Sequence, residues 1–335
     1  MRRGSYIAVR LLLSIPTVLL VASAVFIVTH ILPGDPVRMM VGDVATEAQI
    51  QAIRHELGLD RPLYMQYLLY MYDLLHFDFG VSVNSGLPVL REISAAFPVT
   101  VELTMVGLIC GVVAGLPLGI LAALKKGKVV DHVCRSFSVG CYSIPVYVTG
   151  ILLQLVISRG LGLLPVAGRI TSTVDIPRIT GLYVIDSLLT LHFATMFDAL
   201  SHLILPGITM GVYLLPMISR MSRAGMVDAL TEDYIVTARA KGLAETTVVY
   251  RHAFRNALLP TITVIGLNFA GLLGGSMLTE TVFSLPGLGL LMYRAISSRD
   301  FSMIQGIVVV YTLIVIAVNT IIDIAYSFLD PRVKY

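Results

Sequence analysis

Six stretches of 21 to 24 residues in this 335-residue chain contain no Asp, Glu, Lys or Arg. A helix that crosses the roughly 30 Å hydrocarbon layer of a bilayer needs about 20 such residues. No seventh uncharged stretch reaches 15 residues, and only 13% of the chain is charged. The pattern predicts an all-α membrane protein with six transmembrane helices. The stretches are 11–34, 103–124, 136–158, 199–219, 256–279 and 301–322.

Basic residues are unevenly distributed among the segments that separate these stretches. Cytoplasmic loops of membrane proteins carry an excess of Lys and Arg. With the N-terminus inside, the inner segments hold 15 of the 24 basic residues within 70 positions, whereas the outer segments hold 9 within 129. We therefore predict a multi-pass inner-membrane protein with both termini in the cytoplasm. The inner segments are 1–10, 125–135, 220–255 and 323–335.

The N-terminus permits a second interpretation, because Arg2 and Arg3 before an apolar run also resemble the start of a cleavable signal peptide. The apolar run continues to Leu32 and exceeds the roughly 7 to 15 residues of a signal h-region. A first transmembrane helix is therefore favoured. The net charge of +3 follows from the topology and requires no nucleic-acid partner.

The spacing of the spans divides the chain into three regions. These are an N-terminal tail with the first span (1–34), an outer segment (35–102) and a five-helix core (103–335) with an inner loop at 220–255. Apolar residues at helical spacing predict an amphipathic helix closed by Gly58, and a second helix follows Pro62. A structural role at the membrane interface is favoured over substrate contact for this outer segment. The apolar positions of the first helix are Ala45, Ile50, Ile53 and Leu57.

Glycines recur every four residues in three of the spans. Small residues at this spacing allow helices to approach closely in a membrane, where lipid removes the hydrophobic drive for association. Close packing is the favoured interpretation, and sliding of helices during a transport cycle is the alternative. The stripe is Gly107, Gly111, Gly115 and Gly119, and the shorter repeats are Gly207 with Gly211 and Gly271 with Gly275.

Asn319 and Asp323 lie four residues apart near the inner end of the last span. Ionisable residues at membrane depth are costly and often functional. A proton relay through Asp323, as in a gradient-driven secondary transporter, is one interpretation. Hydrogen bonding to a neighbouring helix or to interfacial water is the favoured one.

Signatures of catalysis are missing from the sequence. There is no GxxxxGKS or GxxxxGKT phosphate loop, no HExxH metal motif and no GxSxG nucleophile elbow. The three cysteines lie in or beside spans without a CxxC pair, so small apolar fillers are favoured over a disulfide or metal site. The chain is therefore predicted to be no enzyme.

The inner segment 220–255 is the longest of the inner segments and is rich in alanine. Tyr234, Ala238 and Lys241 fall on one side of a helix, and Gly242 can end that helix in the left-handed conformation. A short helix, a glycine break and a second helix would form a projection that fits a groove on a cytoplasmic partner. An ordinary solvated loop is the alternative.

The residues of this loop resemble the "EAA" coupling loop of ABC-importer permeases in its peptide-transporter form. The match is carried by Ala238-Arg239-Ala240-Lys241-Gly242-Leu243 and by Arg255-Asn256-Ala257-Leu258-Leu259-Pro260. Other segments, in order along nearly the whole chain, are similar to the dipeptide, oligopeptide and nickel permease family. They are Leu32-Pro33-Gly34-Asp35-Pro36, Leu57-Gly58-Leu59-Asp60-Arg61-Pro62-Leu63, Phe77-Asp78-Phe79-Gly80, Glu280-Thr281-Val282-Phe283-Ser284-Leu285-Pro286-Gly287-Leu288-Gly289 and Leu329-Asp330-Pro331-Arg332-Val333.

The loop departs from the general coupling motif at Val236-Thr237-Ala238, where the broad consensus has Glu-Ala-Ala. Its Leu259-Pro260 pair also falls later than in many sugar or amino-acid permeases. Both departures are similar to those of the peptide-transporting branch, so they favour that subfamily over the others. They leave any contact of the missing glutamate in doubt.

The resemblance implies a type I ABC-importer permease fold and several partners. This chain and a related second permease subunit would form a heterodimer whose pathway crosses the membrane lipid. Two cytoplasmic ATPase subunits, which bind ATP and Mg, would dock on the coupling loops, and a substrate-binding protein would deliver the cargo. No cofactor is expected in this chain. The implied roles are packing in the ATPase groove for Ala238, Ala240 and Leu243, polar contacts for Arg239 and Lys241, and the turn for Gly242.

The outer segment 159–198 is long for its place and resembles that of dipeptide-transporting members more than that of the shorter nickel permeases. Di- or oligopeptides are therefore the first expectation for the substrate, and nickel or a nickel chelate is the alternative. A secondary transporter is disfavoured because six spans show no inverted repeat. A membrane enzyme or scaffold is disfavoured by the missing catalytic residues. The sequence assigns no substrate-binding residue and no metal ligand.

Overall fold

The computed structural model describes residues 3–31, 46–56, 58–171 and 179–329, and these are almost entirely helical. An isolated β-bridge joins Val81 to Pro88. Turns of π-helix at Gln154–Gly160 and Val248–Ala253 extend α6 and α10. The helices are α1 (Arg3–Ile31), α2 (Glu47–Glu56), α3 (Leu63–Leu75), α4 (Val89–Leu124), α5 (Val129–Ser143), α6 (Val146–Leu153), α7 (Tyr183–Leu189), α8 (Phe193–Leu230), α9 (Asp233–Ala240), α10 (Glu245–Thr247), α11 (Phe254–Gly275), α12 (Met277–Val282), α13 (Leu288–Ser297) and α14 (Phe301–Leu329).

Four of the six predicted spans are single helices within α1, α4, α8 and α14. The predicted third span, 136–158, is instead two helices that meet at 96° between Ser143 and Val146. Ile144 has an extended backbone because it precedes Pro145, and a residue before proline is driven out of the helical region. The predicted fifth span, 256–279, also differs, since the chain bends by 49° between Leu258 and Pro260. The two bent pairs bring the number of possible spans in the described residues to six.

Helix α4 begins well before the predicted span, at Val89 rather than at residue 103. Pro88 occupies the position before the helix, where a missing N–H has no consequence. The predicted boundary between outer segment and core at 102/103 therefore falls inside one continuous helix. Charged residues such as Glu92 and Glu102 lie within its first half, which is why a search for uncharged residues placed the start of the span too late.

The core of the molecule is the contact between the long helices α4 and α8, which the glycine stripe of α4 makes possible. A Cβ added at Gly107 would lie 2.7 Å from the Met210 Cβ, and one added at Gly111 would lie 2.8 Å from the Leu214 Cβ. These separations are too short for two carbon atoms, so the side chains of α8 require glycine opposite them. Gly115 faces Ile218, and Gly119 faces the backbone of Ser219, in the same way.

The glycine repeats elsewhere have two different surroundings. Gly207 and Gly211 of α8 lie against Val106 and Cys110 of α4 and complete the same interface. A Cβ added at Gly271 or Gly275 of α11 would meet no described atom within 4 Å. No described residue of this chain packs closely on Gly271 or Gly275, because that face of α11 is exposed.

The outer segment contains the two predicted helices, α2 and α3. Between them Gly58 has a φ of +65°, which ends α2 as expected. Helix α3 packs on α1 through a hydrogen bond of 2.7 Å between the Tyr67 and Ser23 hydroxyls and through an edge-to-face contact of Tyr67 with Phe26. The aromatic helix after Pro62 thus braces the first span.

Several sequence expectations fall outside the described residues. These are the motif at 32–36, Ala45, Leu57 and the closing motif from 330 to 333. The side chain of Asp323 is also outside the description, so a relay through it stays untested. Asn319 is described, and its side-chain oxygen is buried without a hydrogen-bond partner among the described residues.

Candidate functional site

The loop that follows α8 has the architecture predicted for a projection. Helix α8 ends at Leu230, α9 occupies Asp233–Ala240, and a second helical segment begins at Glu245. Gly242 separates the two segments with a φ of +71°, a left-handed conformation that glycine adopts without steric cost. A Cβ at Gly242 would meet nothing within 4 Å among the described residues, so the backbone conformation selects glycine here.

Two residues of α9 fix this loop to the rest of the molecule. Ile235 is fully buried and Ala238 is 5% exposed, and both join an apolar cluster that includes Ile120 of α4 and Met226 of α8. Ala238, which was expected to pack in a partner's groove, therefore faces the interior of this chain. Its methyl group faces inward because Ile235 and Ala238, three residues apart, share the buried face of a short helix.

The opposite face of the loop is exposed and partly apolar. Val236 is 60% exposed and Leu243 is 41% exposed. Ala240, Lys241 and Gly242 are also exposed. We call Val236, Ala240, Lys241, Gly242 and Leu243 the loop surface. Isolated apolar side chains at a surface are common, but two beside a glycine turn form a suitable contact area for a partner.

Arg239, expected to make polar contacts with a partner, is engaged within the loop. Its guanidinium donates to Glu245 at 2.6 and 3.2 Å. This hydrogen bonding holds the pKa of Glu245 below its usual value. Both side chains are largely exposed, so the pair connects the two helical segments across Gly242 and contributes little stability.

An ion pair with a buried carboxylate lies where α8 leaves the predicted span toward the loop. Asp131, in the first turn of α5, is 1% exposed. Its two carboxylate oxygens accept hydrogen bonds from Arg223 Nε at 2.8 Å and Nη2 at 2.7 Å. The Gly127 N–H donates to the same carboxylate at 3.0 Å. Sequence reasoning missed this pair, although Asp131 is the only acidic residue in the basic segment 125–135.

A second buried carboxyl organises the opposite end of the molecule. Glu280 is fully buried and accepts hydrogen bonds from the Thr100 hydroxyl at 2.7 Å, the Ser276 hydroxyl at 2.8 Å and the Leu290 N–H at 3.0 Å. It thereby caps α13, whose first N–H groups have no partner within the helix. Burial raises the pKa of the Glu280 carboxyl, and these hydrogen bonds oppose that rise. A Cβ at Gly287 would overlap the carboxyl group.

Thr100 is the residue that joins α4 to this cap. Its hydroxyl donates to Glu280 and accepts the Leu288 N–H at 2.8 Å. We expect Thr100→Val to lower the free energy of unfolding by about 1–3 kcal/mol, because it leaves a buried N–H without a partner. Thermal unfolding of the purified protein in detergent measures the effect.

Thr104 provides the matched control, since it lies one turn further along α4 and is equally buried. Its hydroxyl has no hydrogen-bond partner among the described residues. Thr104→Val should therefore be neutral or stabilising. Equal unfolding temperatures for the two valine variants would contradict the role assigned to Thr100.

The outer segment 159–198 is also tied to α4. Arg169 donates to Glu102 at 2.9 Å and to the Gly181 carbonyl at 2.6 Å, and its guanidinium lies 3.6 Å from the Tyr183 ring centre. The Val184 N–H donates to the other Glu102 oxygen at 2.7 Å. Both charged side chains are at most 10% exposed. The long outer segment is thus an ordered part of the structure over its described residues.

Comparison with protein families identifies the class to which these features belong. Residues 4–104 match the N-terminal region of a binding-protein-dependent transport system membrane component. Residues 115–335 match a binding-protein-dependent transport system inner membrane component. The chain belongs to this family. It is accordingly a multi-pass inner-membrane permease and not an enzyme.

Curated relatives match the permease over almost its full length. It is 42% identical over 332 residues to the di/tripeptide transport system permease protein DppB of Pseudomonas aeruginosa (strain UCBPP-PA14), and the match covers 99% of each chain. It is 40% identical over 335 residues to the dipeptide transport system permease protein DppB of Escherichia coli (strain K12), covering 98% of each chain. The glutathione transport system permease protein GsiC of Salmonella choleraesuis (strain SC-B67) is 38% identical over 331 residues, covering 99% of each.

A solved structure supports the fold of the permease. An inward-facing structure of the MetNI methionine ABC transporter superposes with a TM-score of 0.52 at 18% identity, covering 69% of the permease and 93% of that chain. This likeness confirms the predicted fold of an ABC-importer permease. Among the described residues, no three His, Cys, Asp or Glu side chains lie close enough to hold a metal ion.

Proposed function

We propose that the permease is one of two membrane subunits of an ATP-driven importer that carries di- or oligopeptides. The observation that carries this proposal is the identity of 40–42% over nearly the full chain to permeases named for dipeptide and di/tripeptide transport. The glutathione relative supports the same substrate class, because glutathione is itself a tripeptide. Nickel or a nickel chelate is the second candidate, and it rests on the family resemblance. The described residues contain no cluster of metal ligands that would support it.

The loop surface is the site we assign to an ATPase subunit. Two such subunits, which bind ATP and Mg, would supply the chemical energy, and a binding protein would deliver the peptide. In this arrangement Val236, Ala240 and Leu243 enter a groove on the ATPase, Lys241 contacts its polar rim, and Gly242 makes the turn. Ala238 acts from inside as an anchor. The helix-in-groove mode fits a short helix that presents apolar residues on one exposed face.

The excess of Lys and Arg in segments on the loop side supports a cytoplasmic position for the loop and both termini. ATP is available on that side of the inner membrane. The outer segment 159–198 and the α12–α13 region would then face the binding protein. The test is a reporter enzyme that functions only in the periplasm, fused after Tyr335. Activity of this reporter would contradict the orientation.

The test uses the complete transporter reconstituted in vesicles with its binding protein and a radiolabelled dipeptide. ATP-dependent accumulation of the dipeptide is expected for the native chain, without competition from a nickel chelate. Leu243→Asp should lower accumulation and the amount of ATPase that co-purifies by on the order of tenfold or more, because a charge replaces an apolar contact at the interface centre. Leu243 is exposed, so the variant should fold normally.

Leu191→Asp provides a matched control at the other end of α8. Leu191 is 71% exposed and precedes α8, whereas Leu243 follows it. We expect this variant to retain its ATPase subunits. Full retention of ATPase and uptake in Leu243→Asp would overturn the assignment of the loop surface. ATP-dependent uptake of a nickel chelate in place of dipeptide would overturn the assignment of the substrate.

A further inference from the structure

The cytoplasmic loop has to be connected mechanically to the helices that line a pathway, and the structure contains two connections of different kinds. Helices α4 and α8 interlock along the glycine stripe from Gly107 to Gly119. Helix α8 runs without interruption from Phe193 to Leu230 and continues directly into the loop. Displacement of the loop therefore reaches α4 and α8 through close backbone packing.

The broken span formed by α5 and α6 also packs on α8, and it has in addition a polar connection of a different kind. At its loop-side end, α5 exposes Val129, Val133 and Phe137. Its N-terminus is held to α8 by the bidentate hydrogen bonds between Asp131 and Arg223. A bidentate guanidinium–carboxylate pair fixes direction as well as distance, which makes it suited to transmit a displacement.

The position of Arg223 strengthens this connection. Gly119 of α4 lies against the backbone of Ser219 and Arg223, so the segment of α8 that carries the guanidinium is also the segment most closely packed on α4. The carboxylate partner is in the first turn of α5 and accepts a third hydrogen bond from Gly127, in the turn between α4 and α5. Three helices therefore meet at this pair, just before the loop.

We propose that the Asp131–Arg223 pair is the positioning element that carries movement of the loop into the broken span α5–α6. This inference rests on the proposed function, in which an ATPase subunit moves the loop. With the pair intact, α4, α8 and the N-terminal end of α5 move as one body. Without it, the loop and α8 move while α5 and α6 lag behind, so ATP hydrolysis is no longer matched by transport.

The experiment measures two quantities on the complete transporter in vesicles. One is the rate of ATP hydrolysis stimulated by peptide-loaded binding protein, and the other is the rate of dipeptide uptake. For Asp131→Asn we expect normal content of ATPase subunits and near-normal hydrolysis. The ratio of peptide transported to ATP hydrolysed should fall by on the order of tenfold, a size typical of coupling between sites.

Two further variants separate coupling from folding. Asp131→Glu retains the charge and should restore most of the transport ratio, because the flexible arginine side chain can adjust to the longer acid. Arg135→Gln removes an exposed charge one turn further along α5 and should leave the ratio unchanged. A stability defect alone would reduce hydrolysis and uptake together and would leave their ratio unaltered.

The outcomes are distinguishable from failure of the proposed function. If ATPase subunits are retained in Asp131→Asn and the transport ratio equals that of the native chain, the pair carries no coupling and the inference is overturned. If hydrolysis and uptake fall in parallel, the pair is only structural and the inference is likewise overturned. Failure of the loop assignment would instead appear in Leu243→Asp, as retained ATPase and normal uptake.

Discussion

Gly119→Ala is expected to lower the free energy of unfolding of the permease by about 1–3 kcal/mol, the usual penalty for overpacking an interior. A Cβ at this position would overlap the Ser219 carbonyl oxygen and would lie 2.8 Å from the Ser222 Cβ. Backbone atoms cannot rotate away as a flexible side chain can, so α4 and α8 must separate. The thermal unfolding temperature of the detergent-purified protein measures the change.

Gly140→Ala is the control for this prediction because Gly140 is also helical, within α5, and a Cβ there meets no described atom within 4 Å. Alanine is the better helix former, so this variant should be neutral or slightly stabilised. A Gly119→Ala protein as stable as Gly140→Ala would show that the two long helices are not in the contact described.

Ile235→Asp is expected to detach the loop that follows α8 from the helix bundle. Ile235 is fully buried beside Ile120 and Met226, and an unpaired carboxylate in such surroundings is strongly destabilising. The loop should become sensitive to limited proteolysis, and peptide uptake should be lost. Digestion of the purified protein with a protease of broad specificity, followed by mass spectrometry, locates the cleavage.

The neighbouring residue separates anchoring from docking. Val236 is 60% exposed, so Val236→Asp should leave the loop as protease-resistant as the native loop while weakening retention of the ATPase subunits. If Val236→Asp and Ile235→Asp produced the same proteolytic pattern, the inward and outward faces assigned to α9 would be incorrect.

The uncharged runs predicted the existence of the spans well because crossing a bilayer demands apolar side chains along a fixed length. They could not predict where a span changes direction. The right-angle break at Ile144 and Pro145 lies within an uninterrupted uncharged run, so the absence of charge gives no sign of the break. Proline was the available signal, but Pro117 and Pro206 occur inside continuous helices, so proline alone does not identify a break.

A charged residue also led to a wrong span boundary where the fold pairs that charge with a partner. Glu102 set the start of the predicted second span at residue 103, yet in the structure it is buried against Arg169 and the Val184 N–H. Glu102 and Arg169 are 67 positions apart in the sequence. A single sequence contains no information on such pairings.

The sequence predicted the order of helix, glycine turn and second helix in the candidate site. It did not predict which face of α9 is buried. The turn at Gly242 follows from local backbone preference, which sequence expresses directly. The inward face of Ala238 does not, because an eight-residue helix has too few apolar positions to define its buried side. Asp131 and Arg223, 92 residues apart, are brought together only by the packing of α5 on α8.

The unbroken length of α8 has a geometric consequence for the transport cycle. At 1.5 Å per residue its 38 residues extend about 57 Å, nearly twice the roughly 30 Å of the hydrocarbon layer. The part beyond residue 219 is a stiff lever arm of about 16 Å that ends at the loop. A tilt of about 10° at the bilayer surface would swing its tip by about 3 Å, so small rotations within the lipid correspond to ångström-scale displacements of the loop.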